Sequence, residues 1–182
     1  MDNEASIDSI RWFVMRDLKR VNARKRAYEL LQEKGFTVFT PKIWKIIIRQ
    51  GKKERVEIPY IPGLLFVYDS RAHLDPVVER EHTLQYHWHR YKWREPMTVS
   101  EADMNRFMQA VSSTPSPQYY LPSEITPRMR NRRIRIIGGP FDGYEGTLIT
   151  TRGSKVKRLL VEIPDLLAVS VEVNPEYIQL CE

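Results

Sequence analysis

The chain has 182 residues, enough for one domain or two small ones. Hydrophobic residues make up 42% and charged residues 29%, which supports a packed core and excludes wholesale disorder, while 29 Lys and Arg against 23 Asp and Glu leave a net charge of +6 that suits nucleic acid or an acidic protein as partner. The single cysteine, Cys181, excludes an internal disulfide framework and a cysteine-cluster zinc site; Met1–Ser9 is polar and acidic, without a signal-peptide core, and aliphatic runs such as Ile46–Ile48 are too short to span a bilayer, so the chain reads as soluble, intracellular and without a membrane role.

In chain order, Ile10–Met15 is apolar at nearly every position, the pattern of a central strand covered on both faces. Ala23, Ala27, Leu30, Leu31 and Lys34 then follow helical spacing, with Gly35 as a stop and Arg24, Lys25 and Arg26 on the opposite face. Val38–Phe39 reads as a short strand ended by Pro41. Lys45–Ile58 reads as a hairpin with a basic tip around Gln50-Gly51-Lys52-Lys53. Pro62-Gly63 is a turn pair, and Leu64–Tyr68 is a second buried strand. Ser100–Asp103 resembles a capping box that opens a helix with Met104, Phe107, Met108 and Val111 on one face. The order predicts an α/β sandwich, one helix covering each end of a mostly antiparallel sheet. Residues 16–55 hold 13 basic and 4 acidic side chains, more than the whole chain's excess.

Ser112–Gln118, with Pro115 and Pro117 and then Pro122 and Pro127, predicts a stiff polar linker over 112–127 between units at 9–111 and 128–182. Beyond it, Ile134–Ile137, Thr147–Ile149, Leu159–Ile163, Val169–Val173 and Tyr177–Leu180 are short strand patterns with no helical period. They predict a small closed β-barrel in which Ser170 and Glu172 mark a wet face.

Gly138-Gly-Pro-Phe-Asp-Gly-Tyr-Glu-Gly-Thr-Leu148 resembles the KOW motif, here carried by Gly139, Pro140, Phe141, Gly143 and Gly146. Arg11-Trp-Phe-Val14 before a helix, and Ile61-Pro-Gly-Leu-Leu-Phe-Val67 on a later strand, resemble the N-terminal (NGN) domain of NusG transcription factors. Domain order and spacing are similar across residues 10–182. Leu64 stands where the family commonly has tyrosine, and Glu81–Lys92 differs from the Gly-Val-rich stretch of general NusG proteins. Both departures resemble the specialised paralogues that include RfaH and the UpxY regulators of capsular polysaccharide operons.

The resemblance implies an α+β chain, an NGN-type α/β sandwich followed by an SH3-like KOW barrel. It implies a monomeric, cytoplasmic, non-catalytic factor without cofactor that binds the clamp helices of RNA polymerase and suppresses pausing or termination on specific operons. Matching positions for polymerase binding are Trp12, Phe13, Ile61, Pro62, Gly63, Leu64 and Phe66; those for non-template DNA or nascent RNA are Arg20, Arg24, Lys25 and Tyr28. The barrel would recruit a ribosomal protein or Rho. The alternative is a KOW-containing RNA- or ribosome-binding module, which suits the five arginines in Arg128–Arg135. A metalloenzyme built on His82, His87 and His89 is disfavoured, since no carboxylate has ligand spacing and no phosphate loop or nucleophile elbow is present. Tyr86, Trp88, Tyr91 and Trp93 suit packing or base stacking.

Overall fold

The computed structural model describes residues 9–19, 24–115, 117–149, 153 and 155–181. The chain divides into two compact units, Met1–Glu101 and Ala102–Glu182.

In the first unit, β1 (Arg11–Asp17) pairs antiparallel with β5 (Leu64–Asp69), with Trp12 opposite Tyr68, Phe13 opposite Val67, Val14 opposite Phe66 and Met15 opposite Leu65. β2 (Thr37–Phe39) adds to the far side of β5, and β6 (Leu84–Tyr86) and β7 (Thr98–Val99) both pair with β1. Side chains alternate across a strand, so each ladder pair shares a face. Phe13, Met15, Leu65 and Val67 point to one face and pack with Ala27 and Leu31 of α1 (Ala27–Glu33) and Leu74 of α2 (Arg71–Arg80). Trp12, Val14, Leu64 and Phe66 occupy the other face and are also buried. Both faces of β1 and β5 are therefore covered, as their unbroken apolar runs require.

The ends of α1 explain its length. At its N-terminus the Asp17 carboxylate accepts from Ala27 N at 2.7 Å, and the Glu29 side chain accepts from Arg26 N at 3.0 Å. At its C-terminus Phe36 N donates to Leu31 O and Gly35 N to Gln32 O, both at 3.0 Å, with Gly35 at φ 86°. This six-to-one and five-to-two pair closes the helix and folds Phe36 back onto Leu31 in the core.

Two expectations for this unit change. The helix α2 is not announced by the sequence pattern: it contains Pro76 and fully buries only Leu74. It is held by a local cap, the Ser70 hydroxyl accepting from His73 N at 3.3 Å, by an Arg71–Asp75 pair one turn apart at 3.2 Å, and from outside the helix by the Tyr86 hydroxyl donating to Asp75 at 2.7 Å. The unit therefore carries a helix beyond the two expected, and α1 and α2 pack on the same face of the sheet.

β3 (Lys42–Arg49) and β4 (Lys52–Pro59) form a separate two-stranded sheet. Arg49 pairs with Lys52 across a two-residue loop in which Gln50 and Gly51 both have positive φ, the backbone that matches hairpin twist.

The second unit contains most of α3 (Glu101–Ser112), whose first residue precedes the division. Its sheet has the order β13-β9-β10-β11-β12-β8, with β8 (Gln118–Tyr120), β9 (Arg130–Ile136), β10 (Glu145–Ile149), β11 (Arg158–Ile163), β12 (Leu167–Glu172) and β13 (Ile178–Leu180). β8 lies within the stretch expected to be linker. Prolines bracket it without entering it, and Tyr119 is buried, its ring 6.2 Å from that of Phe107 on α3. β12 is thus an inner strand, and Ser170, expected on a wet face, is buried with its hydroxyl 3.4 Å from Arg158 Nη1. Among the described residues no ladder joins β13 to β8, so the expected ring does not close by hydrogen bonding. The fold class is mixed α/β with mostly antiparallel sheets and a second, β-rich unit. Among the described residues no helix is long and apolar enough to cross a membrane.

The turn Ile61–Leu64 has Leu64 N donating to Ile61 O at 3.2 Å, Pro62 at the second position and Gly63 at φ 80°. Asp17 N donates to Gly63 O at 2.7 Å, and a Cβ on Gly63 would stand 2.5 Å from Asp17 O. Gly35 has comparable φ but nothing near its missing Cβ. Gly35→Ala should therefore cost about 1 kcal/mol, and Gly63→Ala at least about 2 kcal/mol because backbone must also move. Urea unfolding of both variants checks this; equal losses would show that the Asp17 approach is unimportant.

Candidate functional site

The Pro62-Gly63 turn was expected to anchor an apolar binding surface, and the structure sorts its residues by depth. Phe13 belongs to the helix-side core, edge-on to Tyr86 at 5.7 Å between ring centroids, and is unavailable as a surface group. Trp12 lies on the opposite face, tilted against Tyr68 at 5.1 Å, and is buried. Leu64, 8% exposed, and Phe66, fully buried, are covered in the same way. Of the expected residues only Ile61, Pro62 and Gly63 reach solvent. Beside them stand the half-buried Phe39, whose ring is 6.2 Å from that of Phe66, and Tyr60, whose N–H donates to Pro41 O at 2.8 Å. The accessible part of the site is therefore an apolar rim of Phe39, Tyr60, Ile61 and Pro62 at the β2 side of the sheet. Sequence reasoning missed Phe39 because only the β2–β5 ladder brings it beside Phe66 and the turn, whereas Tyr60 directly precedes Ile61 and its place next to the Pro62-Gly63 pair was the signal available.

The expected nucleic-acid residues are less uniform than their charges suggest. Arg20 lies outside the described residues. Lys25 pairs with Glu33, and Arg24 and Lys25 share a shallow recess with Glu29 and Glu33, so two acids offset two bases there. Arg24 is exposed and enters none of the ion pairs among the described residues. The Tyr28 ring packs against the core with Lys42 Nζ 5.1 Å from its centroid, and its hydroxyl donates to Glu29 at 3.3 Å. Burial, with Glu29 beside it, raises the Tyr28 phenol above its ordinary value.

The hairpin supplies a surface that its basic tip only partly foretold. Trp44, Ile46 and Ile48 alternate along β3, share one face and are exposed, while Arg55 covers Trp44 with its guanidinium carbon 4.6 Å from the ring centroid. The period-two alternation was the available signal, hidden by Ile47 between them.

In the second unit, the 3₁₀ turn Gly139–Phe141 buries Phe141, and Asp142 accepts from Gly138 N at 2.6 Å. Gly143 N donates to Ile136 O at 2.8 Å, and a Cβ on Gly146 would stand 2.7 Å from Leu159 Cδ1. The expected KOW residues thus build a tight reversal between β9 and β10. Arg106 stacks 5.6 Å from the Tyr144 ring, and burial pushes the Tyr144 phenol up to about 12. On β9, Arg130 makes a two-bond fork with Glu162 at 2.7 and 3.0 Å and Arg133 pairs with Glu145 at 3.5 Å, leaving Arg132 and Arg135 exposed outside these pairs. Among the described residues no three His, Cys, Asp or Glu side chains converge where a metal ion could sit.

A family model described as the transcription termination factor NusG matches residues 10–108, from β1 into α3. The chain belongs to the NusG family. Members of this family are non-enzymatic transcription elongation and termination factors that bind RNA polymerase, and the chain is a transcription factor of that general kind. A solved structure of domain interaction in Thermotoga maritima NusG aligns with 14% identity and a TM-score of 0.46, covering 96% of this chain and 98% of that one. No curated relative matches.

His87 is held between β1 and the following loop, its N–H donating to Val14 O at 2.9 Å and its carbonyl accepting from Met97 N at 2.7 Å. Burial, reinforced by the Arg16 charge, lowers its imidazole below the ordinary 6.5. The unfolded chain therefore takes up this proton first. The stability His87 contributes is full above pH 6.5 and is lost as pH falls below it toward the folded-state value. Unfolding midpoints in urea should drop between pH 7.5 and 5.5, and His87→Gln should drop less; parallel pH profiles would refute the assignment.

Proposed function

We propose that this NusG-family chain is an operon-specific antitermination factor, docking on RNA polymerase through its first unit and suppressing pausing or termination. The observation that carries this reading is the family match, which spans the sheet unit. The apolar rim of Phe39, Tyr60, Ile61 and Pro62 supports it, because a partner helix laid along an apolar edge is a common recognition mode. Docking holds the elongating state of the polymerase in preference to the paused one; no bond is made or broken by the factor. Such a factor acts in the cytoplasm, as a monomer on each polymerase. Arg24, exposed beyond the end of β1, contacts the displaced non-template strand, and the KOW unit at 128–182 is free to take a second partner such as a ribosomal protein or Rho. A second reading, an RNA- or ribosome-binding module, is favoured by Arg132 and Arg135 on β9; it requires tight, steeply salt-dependent binding to free RNA without polymerase.

The burial of Leu64 makes substitution there a test of folding, so Ile61 is the informative position. Ile61→Glu should reduce co-purification of core polymerase with the full chain about tenfold while leaving the circular dichroism spectrum unchanged. Undiminished capture by the folded variant would reject the rim as the docking edge. Arg24→Ala should shorten the protection from pausing on a cognate template without lowering polymerase capture, as measured by single-round transcription; an unchanged pause lifetime would remove Arg24 from the strand contact.

A further inference from the structure

At the opposite end of β1 from Arg24, the first unit holds a recess of about 300 Å³ that the polymerase reading leaves unused. Three arginines line it: Arg11 from the start of β1, Arg71 from the start of α2, and Arg94 from the loop after β6. Trp93 and Pro96 add an aromatic and an apolar wall. The only acid in the lining is Glu95, which is engaged by Lys92 at 3.2 Å.

The loop that supplies Trp93 and Arg94 is anchored at its base. His89 N donates to Glu95 O at 3.0 Å, Met97 N to His87 O at 2.7 Å, and Val14 N to Met97 O at 2.9 Å, tying the loop to β1. Beyond these bonds Trp93 stands 88% exposed, and Arg94, at φ 50°, sets its guanidinium carbon 5.4 Å from the indole centroid. A bulky indole in water with a cation against it offers a stacking face and contributes nothing to the core.

Arg71 is held from the other side. Asp75 takes its Nη2 at 3.2 Å, and the second Asp75 oxygen accepts from the Tyr86 hydroxyl at 2.7 Å. Burial, with Asp75 next to it, raises the Tyr86 phenol, so it remains a donor at neutral pH. The Arg71 Nε is buried and has no hydrogen-bond partner. A buried, unpaired N–H on a positively charged group is costly to keep.

We infer that this recess binds a nucleotide, with phosphate oxygens held among Arg11, Arg71 and Arg94 and the base stacked on Trp93. Planar guanidinium forks match phosphate geometry, and an exposed indole accepts any base face. The volume stands at the low end for small-molecule sites and suits one nucleotide rather than a duplex. The nucleotide can be free or one residue of a single strand; the contacts are the same. β1 has seven residues, so at about 3.3 Å per residue the recess lies about 20 Å from the Arg24 end of the strand and forms a separate contact.

The test needs no polymerase, so it succeeds or fails independently of the proposed function. The full chain, labelled with ¹⁵N, is titrated with thymidine 5′-monophosphate, with a dT4 oligonucleotide and with inorganic phosphate. The indole N–H signals of Trp12, Trp44, Trp88 and Trp93 are followed, with Trp93 assigned by Trp93→Phe. The expected result is a saturable shift of the Trp93 signal with the nucleotide probes, with Arg11→Gln and Arg94→Gln each weakening binding at least about fivefold and Trp93→Ala, followed through the backbone amide signals of Arg94 and Glu95, by a similar or larger factor. A Trp93 response to both nucleotide probes identifies the nucleotide itself as the ligand, and a response to dT4 alone identifies a single strand as its source. Phosphate acting as well as the mononucleotide, no Trp93 response to either nucleotide probe, or a response that survives both arginine changes together would overturn the inference.

Discussion

The antiparallel ladder between β1 and β5 sets the positions of everything else in the first unit. Its register puts Phe13, Met15, Leu65 and Val67 on one face and Trp12, Val14, Leu64 and Phe66 on the other. A slip of one residue would exchange the two sets and bring the helix-side core to the wrong face. The turn at Gly63 opposes such a slip: its carbonyl accepts from Asp17 N, and its bare Cα lies against the Asp17 carbonyl. Asp17 in turn caps α1 through Ala27 N, so one residue joins the end of the ladder, the turn and the start of a helix. Both candidate surfaces of the unit follow from this arrangement. The rim of Phe39, Tyr60, Ile61 and Pro62 borders the turn, and the arginine recess opens where β1 begins.

Charge is distributed with the same economy. The basic excess of the sequence suggests a broad cationic face, but intramolecular pairing removes much of it: Lys25 is held by Glu33, Arg130 by Glu162, Arg133 by Glu145 and Arg158 by Glu172. Exposed pairs of this kind contribute little to stability, since water screens them and side-chain entropy opposes them. Their larger effect is to narrow where an anionic partner can be attracted. Among the described residues, charge outside these pairs remains at Arg24, at the hairpin tip, at Arg11 and Arg94 beside the recess, and at Arg132 and Arg135 on β9.

Much of the first unit could be read from local patterns, because its main strands are continuous apolar runs and its first helix ends at a glycine whose conformation the motif demands. Residues without a local signature were not legible. Helix α2 has a proline in its middle and one fully buried side chain, and its Asp75 is held by Tyr86 from the next strand, a contact that no helical spacing reports. Strand β8 sits in a proline-bracketed segment that reads as linker until Tyr119 and its ladder with β12 are seen. Ser170 looked like a solvent-facing position because alternation alone cannot report that its face also carries a small apolar cluster of Ile149, Leu160 and Ala168, with Tyr120 packed against it. Part of the expected binding surface is buried for a reason that adjacent positions do not reveal. Adjacent residues on a strand face opposite ways, yet Trp12 and Phe13 are both buried because both faces of this sheet are covered.

The sequence by itself determined the order of the principal strands, the turn at Pro62-Gly63, the glycine-rich reversal at 138–146 and the likeness to NusG proteins, because each depends on residue types close together in the chain. Tertiary structure alone decided which apolar groups are core and which remain at the rim, which cations are already paired, and that Arg11, Arg71 and Arg94 meet around Trp93. Burial and charge pairing depend on distances between residues tens of positions apart, and those distances are set by strand register and helix placement rather than by any local pattern.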